Sequence, residues 1–372
     1  MNTDERLCSI ALTLCPGIGH IGAKRLVDTV GSAADVFGLR TELPERYPGI
    51  FHTSVVAALD NPAAFLQAEK ELEWAEKNRV DCLTLSDERY PSRLRDCEDA
   101  PIVLFFKGNA DLNRLRVVSM VGTRRATDYG KCFCTDFLRD LSELCSDVLV
   151  VSGLAYGIDV HAHRAALSSG LSTVGVLAHG LDRIYPAVHR KTAVDMLAEG
   201  GLLTEFLTDT NPDRHNFVSR NRIVAGMSDA VIVVESAAKG GSLITAELAE
   251  GYHRDCFAVP GRATDEYSMG CNQLIRDNKA ALINDASDFV KAMNWGRGEE
   301  SRKTAAVQRS LFPELTEEEM RVVKILSRDD LHINTLVVEA NIPVNRMSAI
   351  LFELEMKGVV KALVGGVYHL LA

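Results

Sequence analysis

Apolar residues follow a helical spacing in the first part of the chain. They recur every three or four positions over residues 7–14 and 26–37, a pattern typical of helices that bury one face. A further amphipathic helix is predicted over 63–77, because Asn61-Pro62 directly before it is a common helix start. We therefore predict an N-terminal helical domain over residues 1–79.

Between residues 80 and 295 the pattern changes. Short runs of β-branched and aliphatic residues alternate there with amphipathic stretches long enough to form helices. The runs predict strands over 102–106, 117–121, 148–151, 172–177, 201–204, 230–234 and 256–259. Alternation of buried strands with helices is typical of a mostly parallel sheet covered by helices on both faces. An α/β domain is therefore predicted over 80–295.

The last part of the chain is predicted to hold a charged linker and a small third domain. Residues 296–315 are assigned to the linker, since charged side chains are frequent and 296–311 contain no aromatic residue. Thr316 and Glu319 then match a capping box at the start of a helix. The third domain is expected over 316–372.

A winged helix is the fold predicted for this third domain. Helices are expected over 320–326, 331–339 and 343–356, and a hairpin over 359–363 and 367–371 with Gly365-Gly366 near its turn. Three helices followed by a hairpin in so short a segment are typical of a winged helix, a variant of the helix-turn-helix.

The chain as a whole is acidic. Its 51 Asp and Glu residues outnumber its 41 Lys and Arg residues, which gives a formal net charge of −10 over 372 residues. This balance excludes a protein that coats nucleic acid through bulk positive charge, so a site for a polyanion has to be local. A hydrophobic share of 47% excludes wholesale disorder.

Cysteine usage and the apolar runs indicate a cytoplasmic protein. The nine cysteines are scattered, with one Cys132-x-Cys134 pair and no zinc-ligand spacing, which is typical of reduced thiols that pack as small apolar side chains. No apolar run approaches the roughly 18 residues of a membrane span. The N-terminus also lacks the basic-then-apolar plan of a signal peptide. We therefore expect neither membrane insertion nor a metal site.

A literal G-x-G-x-x-G match occurs at Gly17-Ile-Gly-His-Ile-Gly22. Dinucleotide binding is disfavoured there, because that loop has to follow a buried strand, whereas Pro16 and helical patterning precede this one. Residues 15–26 are more similar to a helix-hairpin-helix, in which glycine amides between two short helices meet a DNA phosphate. A turn that serves only helix packing explains the segment equally well, and the sequence leaves both interpretations open.

A stronger signal lies in the α/β domain, where small or flexible residues follow one predicted strand after another. In a parallel α/β sheet such loops lie along one edge, where ligands bind. Glycines let backbone N–H groups approach an anion, and the helix N-termini that follow add a favourable dipole. The loops in question are 122–125, 152–159, 178–180, 239–245 and 260–261.

Arginines are placed to add full positive charge to the same edge. The simpler explanation, that the glycines only close tight turns, accounts for any one loop but poorly for five loops together with Arg220-Asn221-Arg222. An anion site is therefore favoured. The arginines expected at it are Arg124, Arg125, Arg214, Arg220 and Arg222.

Catalysis at this edge is the less favoured interpretation. The chain has no G-x-x-x-x-G-K-[ST] loop, which excludes an ATPase of that class. A catalytic site would use Asp159, His161 and His163 with residues 179–182, but histidines two positions apart do not share a helix face. We expect instead that Asp159 caps a helix starting near Val160 and that His163 packs or hydrogen bonds at the strand edge.

The predicted winged helix is itself acidic. From residue 316 onward, six basic residues face eight acidic ones, and only Arg346 and Lys357 are on the expected recognition helix. This negative balance disfavours binding to the phosphates of a DNA duplex. A protein contact, or a weak accessory contact with DNA, fits this domain at least as well.

Taken in order, the motifs of the central block closely resemble those of the bacterial DNA-processing protein A (DprA, also called Smf) family. The match extends over some 190 residues, and the terminal domains suit many family members. The motifs that carry the resemblance are Tyr90-Pro91, Phe106-Lys-Gly108, Val121-Gly-Thr-Arg124, Ser152–Asp159 with Ala162-His163 and Ala166-Leu167, Tyr185-Pro186, Phe217 with Arg220-Asn-Arg222, Gly241–Ala246, Val259-Pro-Gly261, Ser268 with Gly270-Cys-Asn272, and Leu274-Ile275.

The resemblance implies a Rossmann-like core, an N-terminal domain of the SAM or helix-hairpin-helix kind and a C-terminal winged helix. It further implies a non-catalytic protein without a cofactor that binds single-stranded DNA in a basic pocket. Such a protein forms a homodimer, protects incoming DNA and helps to load RecA recombinase during natural transformation. No dimer or RecA contact is carried by a motif, so we assign no residues to them.

Carried over residue by residue, the resemblance implies phosphate contacts at Arg124 and Ser152-Gly153 and base stacking on Phe217. The full set of DNA-contact residues expected is Gly122, Arg124, Ser152, Gly153, Gly180, Arg214, Phe217, Arg220, Asn221, Arg222, Gly241, Ser242 and Thr245. Two departures from the family pattern are the turn at 274–280 and Lys239-Gly240 in place of the usual Ser-Gly.

Two other function classes remain as alternatives. A nucleotide phosphoribohydrolase on a similar sheet commonly carries a Pro-Gly-Gly-x-Gly-Thr-x-x-Glu loop, of which this chain has only Gly240-Gly241-Ser242 with Glu247 further along the helix. A structural adaptor would use the terminal domains for protein contacts and leave the edge of the sheet without a ligand.

Overall fold

The computed structural model describes residues 4–48, 53–145, 147–296, 315–327, 331–357, 359–363 and 366–371. It divides into two compact units, Met1–Trp295 and Gly296–Ala372, and each is described by itself.

The first unit begins with helices, as predicted. They are α1 (Glu5–Thr13), α2 (His20–Val30), α3 (Ala33–Gly38), α4 (Leu43–Arg46), α5 (Thr53–Leu59) and α6 (Pro62–Lys77). Their apolar faces form a cluster around Ile10, Leu12 and Val36 that also includes Val103 and Phe105 of the sheet. The helices and the sheet therefore share one hydrophobic core, and the predicted boundary at residue 79 falls inside this unit.

A nine-stranded sheet forms the centre of the unit, in the order β1-β2-β6-β5-β4-β3-β7-β8-β9. Neighbouring strands from β6 through β5, β4, β3, β7 and β8 to β9 are all parallel. The strand β2 is antiparallel to both of its neighbours, β1 and β6. The strands are β1 (Asp81–Thr84), β2 (Val103–Gly108), β3 (Arg116–Val121), β4 (Val148–Ser152), β5 (Ser172–Val176), β6 (Gly201–Thr204), β7 (Ala230–Val233), β8 (Asp255–Ala258) and β9 (Ala281–Leu282). All seven predicted strands are confirmed, and β1 and the two-residue β9 were not predicted.

Alternate residues of the central strands bury opposite faces of the sheet. Val117 and Val121 of β3 belong to one apolar cluster, and Val118 and Met120 belong to the other. This alternation is expected of a strand covered on both sides. The helices of the sheet region are α7 (Ser92–Arg95), α8 (Asp128–Leu144), α9 (Ile158–Ser168), α10 (Arg190–Glu199), α11 (Arg214–Gly226), α12 (Gly241–Gly251), α13 (Met269–Arg276) and α14 (Ala286–Ala292).

The strand order reverses at β3. After β3 the chain builds β4, β5 and β6 on one side, and then returns to place β7 and β8 on the other side. Such a reversal opens a crevice at the carboxyl ends of the two strands that flank it, which is where open α/β sheets bind ligands. The fold therefore places a ligand site at the ends of β3 and β7.

The second unit is a winged helix, as predicted. Its helices are α15 (Glu317–Leu326), α16 (Ile333–Ala340) and α17 (Val344–Met356), and its strands β10 (Leu331–His332), β11 (Val360–Leu363) and β12 (Val367–Leu370) form a sheet in the order β10-β12-β11. The capping box at Thr316 and Glu319 is confirmed. The strand β10 was not predicted, and the predicted linker lies almost wholly outside the described residues, as does Gly365.

No helix in the described part of the chain has the length and apolar character that crossing a membrane requires.

Candidate functional site

A cavity of about 870 Å³ opens at the point where the strand order reverses. Five segments of the chain form its wall: the loop after β3, the residues that lead into α9, the loop that carries Tyr185, the first turns of α11, and the loop before α12 with the start of that helix. The residues that line it include Gly122, Thr123, Arg124, Asp159, Tyr185, Arg214, Phe217, Arg220, Asn221, Lys239, Gly241, Ser242, Thr245 and Glu247.

The loop that carries Arg124 is fastened to the end of β7 by Glu235. The amide of Thr123 donates to the backbone carbonyl of Glu235 at 2.7 Å. The amide of Thr127 donates to the Glu235 carboxylate at 2.9 Å, and the Thr127 hydroxyl donates to the same carboxylate. Because Glu235 is only 2% exposed, these bonds are shielded from water and hold the loop firmly.

Two glycines make this arrangement possible. Gly157 has φ +76°, and a Cβ there would overlap the carbonyl oxygen of Thr123, so a side chain at 157 would push the Arg124 loop away from α9. A Cβ at Gly130 would overlap the Glu235 carboxylate. The loop is thus held on one side by α9 and on the other by β7.

Phe217 lies at the centre of the aromatic and cationic part of the cavity. The guanidinium carbon of Arg124 lies 4.6 Å from the centre of the Phe217 ring, and that of Arg220 lies 5.9 Å from it. The ring of Tyr185 is 6.1 Å away, centre to centre. Arg124 is exposed and Phe217 half-buried, so a ligand in the cavity can contact both an aromatic ring and a cation.

Arg220 supplies positive charge from below the surface. It is 3% exposed and donates to the backbone carbonyl of Val176. A Cβ on Gly153 would overlap its guanidinium, so the glycine is what leaves room for it. Burial lowers the pKa of Arg220 from its usual value, and the nearby Asp159 carboxylate opposes that shift. Burial likewise raises the pKa of Asp159, against the effect of Arg220.

Two helices also point their N-termini at the cavity. Helix α11 begins at Arg214, where Asp213 caps it by accepting from the amide of Asn216 at 2.9 Å. Helix α12 begins at Gly241. The hydroxyl of Ser242, in its first turn, donates to the hydroxyl of Ser236 at 2.9 Å and so ties the helix to the loop before it. The partial positive charge of helix N-termini favours anions. The cavity wall is therefore built to accept negative charge, although the chain as a whole is acidic.

Nine of the thirteen DNA-contact residues expected from the sequence line this one cavity. They are Gly122, Arg124, Arg214, Phe217, Arg220, Asn221, Gly241, Ser242 and Thr245. The structure thus brings together residues that are more than a hundred positions apart in the chain.

The other four lie elsewhere. Ser152 is fully buried and donates to the carbonyl of Met120 at 2.6 Å. Gly153 makes room for Arg220, and Gly180 is packed against the backbone at Leu207. Ser152, bonded to β3, and Gly153, which makes room for Arg220, support the site from behind its wall.

Arg222 is the clearest departure from the expectation. It is 5% exposed, forms an ion pair with Glu205, and donates to the carbonyl of Asp99 at 2.6 Å. Its charge is therefore already neutralised inside the protein. The placement of Arg222 does not support a phosphate contact, and we leave it out of the proposed DNA-contact set.

His163, near the sheet edge, is a buried packing residue. His163 is fully buried with Nδ1 2.7 Å from the Thr173 hydroxyl, which confirms its predicted hydrogen bond, and burial lowers its pKa to about 3. The prediction that Asp159 is a helix cap was wrong, since α9 begins at Ile158 with Gly157 as the capping residue. Among the described residues, no group of three or more His, Cys, Asp or Glu side chains could hold a metal ion.

His179 orders the loop that carries Tyr185. Its Nδ1 is hydrogen bonded to the carbonyl of Gly180 at 2.8 Å, and its Nε2 accepts from the amide of Tyr185 at 3.2 Å. Burial lowers the pKa of His179, so the neutral ring that makes these two bonds is favoured. The roles of Tyr185 and Glu235 were not predicted from the sequence, although an acidic residue directly after an apolar strand is a usable signal for Glu235.

The glycine-rich turn between α1 and α2 is exposed. Gly17 has φ +77°, and a Cβ at Gly17 or Gly19 would meet no atom within 4 Å. His20 starts α2 with Nδ1 3.3 Å from the Glu205 carboxylate. This geometry is compatible with a helix-hairpin-helix that contacts a DNA phosphate and equally with a turn that serves only helix packing.

Two family models match the chain. Residues 81–294 match the model described as DNA recombination-mediator protein A, and residues 308–366 match the DprA winged helix domain. The chain belongs to the DNA recombination-mediator protein A family. The resemblance found in the sequence and the predicted fold class are thereby confirmed.

Relatives of this family are similar over most of the chain. The DNA processing protein DprA of Streptococcus pneumoniae is 35% identical over 239 residues, which cover 63% of this chain and 83% of that protein. Protein Smf of Escherichia coli is 32% identical over 311 residues, or 81% of this chain and 80% of that protein.

Two solved family structures have the same fold. The X-ray structure of DprA from S. pneumoniae superposes with a TM-score of 0.60 at 30% identity and covers 78% of this chain and 98% of that chain. DNA processing protein A from Helicobacter pylori, described for its single-stranded DNA binding mode, gives a TM-score of 0.52 at 30% identity over 58% of this chain and 95% of that chain.

Proposed function

We propose that this protein binds single-stranded DNA in the cavity between the ends of β3 and β7 and acts as a recombination mediator. The observation that carries the proposal is the contact between Arg124 and Phe217, which puts a cation and an aromatic ring side by side in one open cavity. A phosphate on Arg124 and a base on Phe217 are adjacent groups of the same strand. The relative from H. pylori, with its single-stranded DNA binding mode, supports this ligand class.

The aromatic ring is the reason to prefer a single strand over a duplex. In a duplex the faces of the bases are stacked on one another, whereas an unpaired base can stack on a side chain. Such stacking is worth about 1–3 kcal/mol per base and tolerates any sequence. Arg124 and Arg214, together with the N-terminus of α12, supply the contacts to the backbone of the strand.

The role after binding is proposed from the family resemblance. The protein protects incoming DNA during natural transformation, acts as a homodimer without chemistry of its own, and helps to load RecA recombinase on the strand. These steps carry no residue assignment.

A nucleotide hydrolase is the second candidate, because Glu247 and Asp159 both line the cavity and carboxylates serve as general acids and bases. Release of free base from mononucleotides by the purified protein, lost in the Glu247→Ala variant, would favour this candidate over the DNA-binding proposal.

The deciding experiment is fluorescence anisotropy with a labelled oligo-dT strand and a matched duplex over a series of salt concentrations. Each phosphate contact with a single strand adds about −0.7 to the slope of log K against log salt. We expect tighter binding of the single strand, and a slope flattened by about 0.7 in Arg124→Ala and again in Arg214→Ala. Arg139→Ala is the control, because Arg139 is exposed on α8 and paired with Asp136. Equal binding of duplex and single strand, or an unchanged slope in both cavity variants, would contradict the proposal.

A further inference from the structure

The outward face of α17 in the winged helix is apolar. The side chains of Met347, Ile350 and Leu354 on its inner face are buried in the domain core. On the opposite face, one turn apart, Phe352 is 63% exposed and Met356 is 75% exposed. Ala349 and Ser348 lie beside them on the same face. Adjacent large apolar residues on a surface are typical of a site that binds another molecule.

The charges around this face are unsuited to DNA. In helix-turn-helix proteins the corresponding helix enters the major groove, and basic residues beside it contact phosphates. Here Arg346 pairs with Glu318 at 2.8 Å, and Lys357 pairs with the buried Glu319 at 2.6 Å. Arg346 of α17 and Lys357, which caps the C-terminus of this helix, are thus both paired with carboxylates of the same domain.

The acidic residues of α17 are less fully compensated: the Glu355 carboxylate accepts from the amide of Ala362 at 3.2 Å, and Glu353 interacts with Arg346 only at longer range. Over the part of the chain that the structure describes, no Lys or Arg forms an ion pair with Glu353 or Glu355. By helical spacing, these two carboxylates lie on opposite borders of the face centred on Phe352 and Met356. The surface is therefore an apolar strip with negative charge on both sides, which repels a phosphate backbone.

We propose that this face of α17 is a docking surface for a protein partner, namely an amphipathic helix whose apolar side is bordered by Lys or Arg. An apolar helix face is a common way to bind such a segment, and basic borders complement Glu353 and Glu355. A second copy of the same face is a poor occupant, because acidic borders would meet acidic borders. The proposal is independent of the DNA cavity, which lies in the other unit.

The test uses the full-length protein and a fluorescein-labelled 18-residue peptide made of Leu and Lys, with Leu at helical spacing on one side. A second peptide carries Glu in place of every Lys. We expect the basic peptide to bind, and Phe352→Ser or Met356→Ser to weaken it at least about tenfold, as truncation of a central contact residue does. Val338→Ser is the matched control, because Val338 is 77% exposed on α16, and it is expected to leave binding unchanged.

Charge reversal makes the test specific. The double variant Glu353→Lys/Glu355→Lys is expected to lose the basic peptide and to gain the acidic one. Failure of the basic peptide to bind, or equal binding by the wild type and the two Ser variants, overturns the proposal. So does a loss of duplex DNA binding in the Ser variants, or a wild-type dimer in sedimentation that those variants abolish. Unchanged binding of oligo-dT by the Ser variants separates this result from the proposed function.

Discussion

The guanidinium of Arg124 lies over the ring of Phe217, with its central carbon 4.6 Å from the centre of the ring. The two residues belong to different parts of the sheet region, since Arg124 follows β3 and Phe217 is in the first turns of α11. Contact between them requires the strand order observed here, and the pair links the electrostatic side of the cavity to its stacking side.

Because the two side chains touch, we predict that their contributions to DNA binding are not additive. Arg124→Ala removes the proposed phosphate contact and also the cation over the ring, whereas Phe217→Leu removes the proposed stacking surface and also the ring that Arg124 packs on. Groups in contact typically show interaction energies of about 0.5–3 kcal/mol. Anisotropy with oligo-dT for both single variants and the double variant measures this energy, and strictly additive losses would show that the contact has no role in binding.

Glu235 is predicted to position Arg124 without touching DNA. Glu235→Gln puts an amide donor in the place of one acceptor, so a buried N–H or O–H of Thr127 loses its partner, at a cost of about 1–3 kcal/mol in the free energy of unfolding. The loop is then less ordered, and oligo-dT affinity falls. Because the proposed phosphate contact of Arg124 is weakened rather than lost, we expect the salt slope to stay unchanged.

Glu247→Gln is the control for this prediction, because Glu247 is exposed and lines the same cavity. It is expected to lower neither stability nor affinity. A flattened salt slope in Glu235→Gln would mean that the loop has lost its phosphate contact altogether, contrary to a pure positioning role.

Gly153 is predicted to be indispensable because of Arg220. A Cβ at 153 would overlap the guanidinium, so Gly153→Ala has to displace a buried charge from its place beside Asp159. We expect a large drop in thermal stability together with weaker oligo-dT binding. Gly251→Ala at the end of α12 meets no atom within 4 Å and serves as the control. In the Arg220→Ala background the additional effect of Gly153→Ala is expected to be small, and a full additional loss there would contradict the explanation.

Arg222 is predicted to act on stability alone. Arg222→Met leaves the buried Glu205 without its main ion-pair partner, and breaking a buried pair typically costs about 3–5 kcal/mol. Urea unfolding is expected to show this loss, while the salt slope for oligo-dT remains that of the wild type. A slope flattened as in Arg124→Ala would restore Arg222 to the DNA-contact set.

Helical spacing explains why the sequence analysis grouped Arg220 and Arg222 together and the structure does not. In α11, Arg220 and Asn221 come three and four positions after Phe217 and so lie on its side of the helix, whereas Arg222 is two positions from Arg220 and lies almost opposite to it. The Arg-Asn-Arg motif by itself predicted that both arginines face the same ligand. The 3.6-residue period, applied to the same residues, would have assigned only the first arginine to the cavity.

Other features depended on long-range pairing that no local pattern contains. Seven of the nine strands were predictable because each is an apolar run between turn residues. The antiparallel direction of β2 and the presence of β1 and β9 were not, since they depend on which strands become neighbours. The role of Glu235 was hidden for the same reason, because it requires β7 to lie beside β3.

The last prediction concerns pH and follows from His163. Burial lowers the pKa of this histidine to about 3 in the folded protein, whereas an unfolded chain titrates near 6.5. Between these values the unfolded state binds the extra proton, so the folded state loses stability as the pH falls from about 6.5 towards 3. The contribution of this single group is at most about 1.4 kcal/mol per pH unit. Urea unfolding at pH 7, 6 and 5 is expected to show a decline that is shallower in His163→Gln, whose side chain does not titrate. An identical decline in both proteins would assign the acid sensitivity to other groups.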